Sequence, residues 1–175
     1  DGKWGTGVGF LDLENDGDTD LYVQRFTDYR IETATRCYRN SVHVHCTPDV
    51  YDALPHRVWR NRGDGTFEDV SVASGIAAEP AYGLALAIVD IDQDGDTDVY
   101  SANDISRNQL WINDGTGVFE DVGRLTGSAY SLEGGPQSSM GVDVADVDFD
   151  GRLDLAVPNF QDETTSLYLQ REPLR

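Results

Sequence analysis

Three acidic segments of this 175-residue chain carry side chains whose type and spacing suit the binding of a cation. They read "DLENDGDTDLYV" at 12–23, "DIDQDGDTDVYS" at 90–101 and "DVDFDGRLDLAV" at 146–157. Each places acidic residues at positions 1, 3, 5 and 9 of a loop whose sixth residue is glycine. Alternating carboxylates before a glycine turn let the backbone wrap a hard cation with oxygen ligands, as calcium prefers. The repeat therefore predicts about three bound calcium ions.

Each loop is predicted to ligate calcium through the side chains at positions 1, 3, 5 and 9 and through the backbone carbonyl at position 7. The predicted metal residues are Asp12, Glu14, Asp16, Asp18, Asp20, Asp90, Asp92, Asp94, Asp96, Asp98, Asp146, Asp148, Asp150, Arg152 and Asp154. Asp18, Asp96 and Arg152 are the position-7 residues. An arginine there agrees with a carbonyl ligand, because its side chain cannot ligate a cation.

Other interpretations of the loops fit the sequence less well. An EF-hand needs a bidentate glutamate at position 12 and a helix on each side. Position 12 is Val23, Ser101 or Val157, and the flanking residues are strand-like. Magnesium seldom has such a dedicated all-protein cage. A solvated acidic turn without a metal is an alternative for one copy, but three copies in one frame favour a metal site.

The elements around the second loop predict short β-strands. Apolar or alternating runs at 83–90, 98–102, 109–113 and 118–122 are bounded by the acidic loop and by the hairpin signal "DGTG". Four strands in about 40 residues match the size of one β-propeller blade. The phrase "VWRNRGDGTFEDV" at 58–70 recurs as "LWINDGTGVFEDV" at 110–122, so the unit is repeated. We therefore predict an all-β fold of propeller blades, each with four antiparallel strands.

The whole chain, 1–175, is interpreted as a partial propeller of about three blades. Blade 1 is expected at about 3–71 with an insertion at 25–56, blade 2 at about 83–123, and an incomplete blade 3 at about 139–170. Closed propellers usually have ~4 to 8 blades. We therefore expect this segment to belong to a larger propeller or to complete its ring with other chains.

The insertion contains the residues whose sulfur or nitrogen atoms could bind a transition metal. It contains Cys37, Cys46, His43 and His45 and ends at His56. A close cysteine pair is typical of a local disulfide in an oxidising compartment, or of part of a zinc or copper site. Directly after the insertion, "RGD" at 62–64 spells a tripeptide that many integrins bind. The same place in the next unit is a plain Asp-Gly turn, so a turn is the preferred interpretation.

The repeats resemble a known family. The stretch "YGLALAIVDIDQDGDTD" is similar to the FG-GAP or VCBS repeat of calcium-binding β-propellers, including the head of integrin α-chains. The phrases "RNRGDGTFEDVSVASGI" and "SSMGVDVADVDFDGRLDLAVPN" resemble the branch that contains the ASPIC/UnbV proteins and cartilage acidic protein. The resemblance covers nearly the whole chain except the insertion. It implies secreted propellers with structural calcium.

The net charge and the motifs of the chain argue against several classes of function. A net charge of −19 argues against nucleic acid and anionic membranes as partners. No nucleophile elbow is present, and we expect no enzymatic activity. We expect an extracellular or periplasmic calcium-stabilised scaffold for binding, adhesion or assembly, with a protein, matrix or surface partner. The alternative is a carbohydrate-binding, lectin-like propeller or the accessory domain of a polysaccharide-active enzyme. A third interpretation is an enzyme that acts through the His/Cys insertion.

Overall fold

The computed structural model describes residues 3–174, and its regular elements are nearly all β-strands. The strands are β1 (Gly5–Leu11), β2 (Asp20–Arg25), β3 (Cys37–Arg39), β4 (Val42–Val44), β5 (Arg57–Asn61), β6 (Phe67–Asp69), β7 (Gly83–Val89), β8 (Asp98–Asn103), β9 (Gln109–Asn113), β10 (Phe119–Asp121), β11 (Asp143–Ala145), β12 (Asp154–Val157) and β13 (Ser166–Tyr168). Helix α1 is Gly123–Thr126, and single 3₁₀ turns lie at Ile31–Thr33, Pro48–Val50 and Ile76–Ala78. Within this part of the chain no helix is long and apolar enough to cross a membrane.

Three antiparallel sheets repeat one topology. The first has the order β1-β2-β5-β6, the second β7-β8-β9-β10, and the third β11-β12-β13. In each sheet the acidic loop connects the first strand to the second. The predicted all-β fold of propeller blades is confirmed. Of the residues that follow β13, those up to 174 add no fourth strand to the third sheet.

The register of the three sheets shows which residues are equivalent. In each sheet the residue after position 9 of the loop pairs with an aromatic residue of the third strand. These pairs are Leu21–Trp59, Val99–Trp111 and Leu155–Tyr168. Residues in different blades can therefore be compared position by position.

Blades 1 and 2 pack face to face around the larger apolar core. Its buried members are Leu11, Leu13, Tyr22, Val58, Val70, Ile76, Val99, Trp111 and Phe119. Strand β7 lies close to β1 because β1 has glycine at the contact. A Cβ atom on Gly7 would meet Leu86 Cδ2 at 2.8 Å, and one on Gly9 would clash with Ile88. Each fully buried large side chain contributes about 1.5–3 kcal/mol to this interface.

Blades 2 and 3 pack around a second core in the same way. Its buried members are Ile91, Tyr100, Ala102, Leu110, Leu155 and Val157. In β9, Leu110 faces this second core while its neighbour Trp111 faces the first one. This alternation follows from the two-residue period of a strand, which sends successive side chains to opposite faces. Blade 2 is therefore buried on both sides.

The insertion forms a small unit beside blade 1. Its hairpin β3-β4 is a separate two-stranded sheet, and the residues on either side of it are mostly exposed. Isolated bridges join Thr27 to Ala53 and Leu54 to Ala81. The insertion returns to the blade at His56, which is fully buried next to Tyr22.

Candidate metal centres

The three acidic loops fold alike, and position 1 closes the turn in each. In the second loop Asp90 Oδ1 accepts a hydrogen bond from Asp94 N, and its Oδ2 accepts one from Gly95 N, both at 3.1 Å. Asp12 and Asp146 accept the same two bonds from their own loops. An ionised carboxylate has about four acceptor sites. Each position-1 side chain therefore keeps lone pairs free for a cation.

Two residues of each turn are left-handed. At position 6 the φ angles are +87° for Gly17, +102° for Gly95 and +88° for Gly151. Position 4 is also left-handed, although it carries a side chain, with φ of +57° at Asn15, +64° at Gln93 and +61° at Phe149. Such a conformation costs roughly 1–2 kcal/mol for an L-residue. Position 4 could not be recognised from the sequence, because only asparagine among these three residue types commonly adopts this conformation.

Position 5 points its carboxylate at the backbone of position 7. Oδ1 of Asp16, Asp94 and Asp150 accepts the N–H two residues later at 2.8, 2.9 and 2.9 Å. In the third loop the Arg152 guanidinium also contacts the Asp150 carboxylate, and Arg152 Nε donates to Gln170 O at 2.9 Å. The predicted position-5 ligands are thus engaged in shaping the turn.

Position 9 is the most buried part of each loop. Asp20, Asp98 and Asp154 are 1%, 1% and 2% exposed. Asp98 Oδ2 accepts from Ile91 N and Oδ1 from Asn113 N, each at 2.9 Å, so one carboxylate joins the loop to the third strand. Asp20 and Asp154 make the equivalent pairs of bonds. Burial raises the pKa of Asp98 to about 6, although its two backbone hydrogen bonds oppose the shift. Sequence reasoning assigned these residues to metal binding and missed their role as clamps.

Positions 1, 3 and 9 converge in two of the three loops. One carboxylate oxygen from each residue lies within 4.8 Å of the others in two sets, Asp90, Asp92 and Asp98, and Asp146, Asp148 and Asp154. Three converging carboxylates are hard oxygen donors of the kind that calcium takes. The corresponding set of the first loop does not converge this closely among residues 3–174. There Glu14 Oε1 lies 2.6 Å from Arg60 Nε instead.

Neighbouring loops contact each other through position 4. The Asn15 amide donates to the Asp96 carboxylate in the next loop. The Gln93 amide donates to Gly151 O in the third loop at 2.6 Å. Phe149 occupies the equivalent place in the third loop and is 90% exposed. The acidic loops therefore form a contiguous row across one edge of the three blades.

Comparison with known proteins identifies this architecture. Residues 48–101 and 90–157 each match the model of the FG-GAP-like repeat, and together they span more than half of the chain. The chain belongs to the FG-GAP-like repeat family. The resemblance inferred from the loop motifs is thus confirmed. Human cartilage acidic protein 1 is 26% identical over 112 residues, which are 64% of this chain and 16% of that protein. The chain therefore spans only a small part of the length of this relative.

The segments that match the FG-GAP-like repeat include two of the three acidic loops. The second and third loops lie wholly inside the matched segments, whereas the first, at 12–20, lies outside them. The two loops inside are also the two whose carboxylates converge. Sequence similarity and side-chain geometry therefore separate the first loop from the other two.

The insertion in the first FG-GAP-like blade contains a disulfide and no cluster of metal ligands among the residues described. Cys37 and Cys46 are bonded to each other, as one of the two interpretations predicted. The zinc or copper alternative is wrong for these residues, because both sulfurs are consumed and no histidine joins a converging group within 3–174. His43 and His45 are exposed, while His56 is buried and accepts from Arg25 N at 3.1 Å.

The Arg-Gly-Asp segment lies in an ordinary hairpin of the FG-GAP-like repeat. Asp64 Oδ1 accepts from the backbone and hydroxyl of Thr66 at 2.9 and 2.6 Å. Asp114 and Thr116 form the same turn in blade 2, at 2.9 and 2.7 Å. The repeat itself therefore accounts for the Asp-Gly turn, as the sequence comparison of the two hairpins predicted.

Proposed function

We propose that this chain is an extracellular or periplasmic, calcium-stabilised propeller segment that acts as a binding or assembly scaffold. The FG-GAP-like repeats and the disulfide support that location, because protein disulfides persist in oxidising compartments. A net charge of −19 makes nucleic acid an unfavourable partner. The proposal assigns no chemical reaction to the chain.

Calcium would bind where the position 1, 3 and 9 carboxylates lie, with the position-7 carbonyl completing the set. The converging oxygens of the second and third loops fit such an ion by type, since calcium is bound by carboxylate and carbonyl oxygens. Bound calcium would neutralise carboxylates that repel one another and would fix the loop between the first two strands of each blade. Its role in this proposal is structural.

The two outer blade faces carry the scaffold function. We define the leading face by Val8 and Phe10 of β1, which are 63% and 65% exposed. Their equivalents in β7, Leu86 and Ile88, pack against the first apolar core. The leading face of blade 1 therefore has the apolar character of a blade interface while it lies open.

The opposite side of the row is open in the same way. We define the trailing face by Val147, Phe149 and Leu167, which are 46%, 90% and 53% exposed. Position 2 of the loop is Val147 in blade 3, and its equivalents Leu13 and Ile91 are 0% and 3% exposed inside the two blade interfaces. The trailing face of blade 3 therefore has the same apolar character as the leading face. The observation that carries the proposal is the convergence of three carboxylates in each of the second and third loops.

Sedimentation velocity over a range of protein concentrations tests this function. In the presence of calcium we expect association through these faces, weakened by Phe10→Asp and by Phe149→Asp, because a charge in an apolar interface is costly. Leu132→Asp is the matched control, since Leu132 is 100% exposed and belongs to neither face. A monomer at every concentration, unchanged by any of the three substitutions, would contradict the assembly role.

A second candidate function is carbohydrate binding, which a group of aromatic rings favours. Trp4 packs edge-on against Phe26 and Tyr29, with centroids 5.4 and 6.0 Å apart, and Tyr29 packs against Tyr51 at 5.3 Å. Trp4 and Tyr29 are 49% and 40% exposed, so they offer ring surface on which a sugar can stack. A glycan array would test this role. Binding that is lost in Trp4→Ala and kept in Trp59→Ala would support it.

A further inference from the structure

The three blades differ at the residue that follows the aromatic residue of the third strand. It is Arg60 in blade 1, Ile112 in blade 2 and, directly after the end of β13, Leu169 in blade 3. Only the first of these carries a charge. At this repeat position blade 1 therefore has a guanidinium where blades 2 and 3 have an aliphatic side chain.

Arg60 contacts the residue that would bind the cation in the first loop. Its Nε lies 2.6 Å from Glu14 Oε1, and the Arg60 and Glu14 side chains are 40% and 21% exposed. The backbone of Arg60 is fixed within β5, where it lies opposite Glu68 in the register with β6. Position 3 of the second loop, Asp92, instead accepts a hydrogen bond from Asp94 N within its own loop at 3.2 Å.

The third loop also has an arginine near position 3, but its arrangement is different. Arg171 Nη1 lies 2.8 Å from Asp148 Oδ2, and the Arg171 and Asp148 side chains are 66% and 28% exposed. This arginine follows the last strand, and the oxygens of Asp146, Asp148 and Asp154 still converge beside it. Both partners of this ion pair are more exposed than those of the pair of Arg60 with Glu14, and exposed ion pairs contribute little free energy.

We propose that the three loops are unequal calcium sites, and that the Arg60 contact with Glu14 makes the first loop bind calcium last. The guanidinium supplies positive charge to the position-3 carboxylate and holds it away from the set that converges in the other loops. A calcium ion must displace or share this contact before Glu14 can become a ligand. This inference rests on the proposed calcium binding and concerns how the three loops divide it.

A calcium titration that observes each loop separately tests this order. The amides of Gly17, Gly95 and Gly151 donate to position 1 of their own loops, so their NMR signals report each site. The titration starts from protein whose calcium has been removed with a chelator. We expect the amide signals of Gly95 and Gly151 to shift first, and the signal of Gly17 to need about tenfold more calcium. In Arg60→Ile, which copies Ile112, the Gly17 midpoint is expected to fall by about tenfold.

The matched control is Arg62→Ile. Arg62 lies in the adjoining hairpin and pairs with Glu68 at 3.2 Å, so its loss removes the same charge without touching Glu14. Its Gly17 midpoint should remain that of the unmodified chain. Glu14→Asp gives a second route, because the shorter side chain withdraws from Arg60 and should also strengthen the first site.

The outcomes separate this inference from the calcium proposal. Saturation of all three glycines at one calcium concentration would overturn the inequality of the loops and leave calcium binding intact. Equal shifts in Arg60→Ile and Arg62→Ile would overturn the contact as its cause. No response at any of the three glycines would contradict calcium binding itself, and this inference with it.

Discussion

His56 Nε2 lies 3.0 Å from Ser101 Oγ across the boundary between blades 1 and 2. A histidine beside a serine is also the arrangement of a catalytic base and its nucleophile. Here His56 Nδ1 accepts from Arg25 N, so Nε2 carries the proton and donates it to the serine. A general base would need Nε2 unprotonated. This pair therefore joins two blades, and both residues are fully buried.

The first prediction concerns the pH dependence of stability. Burial lowers the pKa of His56 from 6.5 to about 4. Between these values the unfolded chain binds a proton that the folded chain does not, so the free energy of unfolding falls as the pH falls. A shift of this size corresponds to about 3 kcal/mol, present above pH 6.5 and lost by about pH 4. Denaturant unfolding at a series of pH values, in chelator, measures it.

The contribution of His56 is isolated by comparison with His56→Gln, which cannot titrate. The difference between the two unfolding free energies should shrink as the pH falls, whereas His43→Gln, at an exposed site, should follow the unmodified chain. An NMR titration of the unmodified chain gives a direct check. Protonation of His56 near its ordinary pKa of 6.5 would refute the prediction.

The second prediction concerns the buried clamp at position 9. Asp98→Asn leaves an amide group facing one of the two backbone N–H groups that the carboxylate now satisfies. An unsatisfied buried donor costs about 1–3 kcal/mol. We expect that loss in urea unfolding even with calcium removed, since the clamp acts independently of a metal. Asp94→Asn should cost much less in chelator because Asp94 is exposed, and equal losses in the two variants would speak against the clamp.

The third prediction concerns the close approach of blade 1 to blade 2 at Gly83. A Cβ atom there would clash with the stem of Gln24 and would lie 2.7 Å from His56 Cε1. We expect Gly83→Ala to destabilise the chain by about 1–3 kcal/mol, as overpacking does. Gly135→Ala is the control, because a Cβ atom there meets nothing within 4 Å. Thermal unfolding of the two variants compares them, and similar midpoints would contradict the packing argument.

Features that depend on neighbouring residues in the chain could be predicted from the sequence. The period-two strands and the glycine at position 6 are local, so the predicted run 83–90 corresponds to β7 at Gly83–Val89. The clamp by Asp98 could not be predicted in the same way, because its partner Asn113 lies on another strand. Nor could the Arg60 contact with Glu14, which exists only after β5 has paired with β2.

The left-handed residues at position 4 show the same limit. Nothing about Gln93 or Phe149 as residue types indicates a positive φ angle. The conformation is imposed by the position-1 carboxylate, which pulls the N–H groups of positions 5 and 6 toward itself. The contact from Gln93 to the next loop appears only when two blades pack together. The repeated sequence unit therefore predicts the strands of each blade, whereas the contacts between neighbouring loops depend on how the blades pack.

The last prediction concerns the disulfide in the insertion. Cys37 and Cys46 are nine residues apart, and closing so short a loop stabilises the ordered form by about 2–3 kcal/mol in the chain-entropy model. The hairpin β3-β4 is a separate sheet, and all its residues except Cys37 and Val44 are exposed. We therefore expect the double variant Cys37→Ser/Cys46→Ser to loosen the insertion while the blades remain folded. Hydrogen exchange should speed up at 37–44 and stay unchanged in β7 and β8. Faster exchange in those two strands would mean that the insertion supports the blades, because β8 carries Ser101, the partner of His56, at the point where the insertion returns to blade 1.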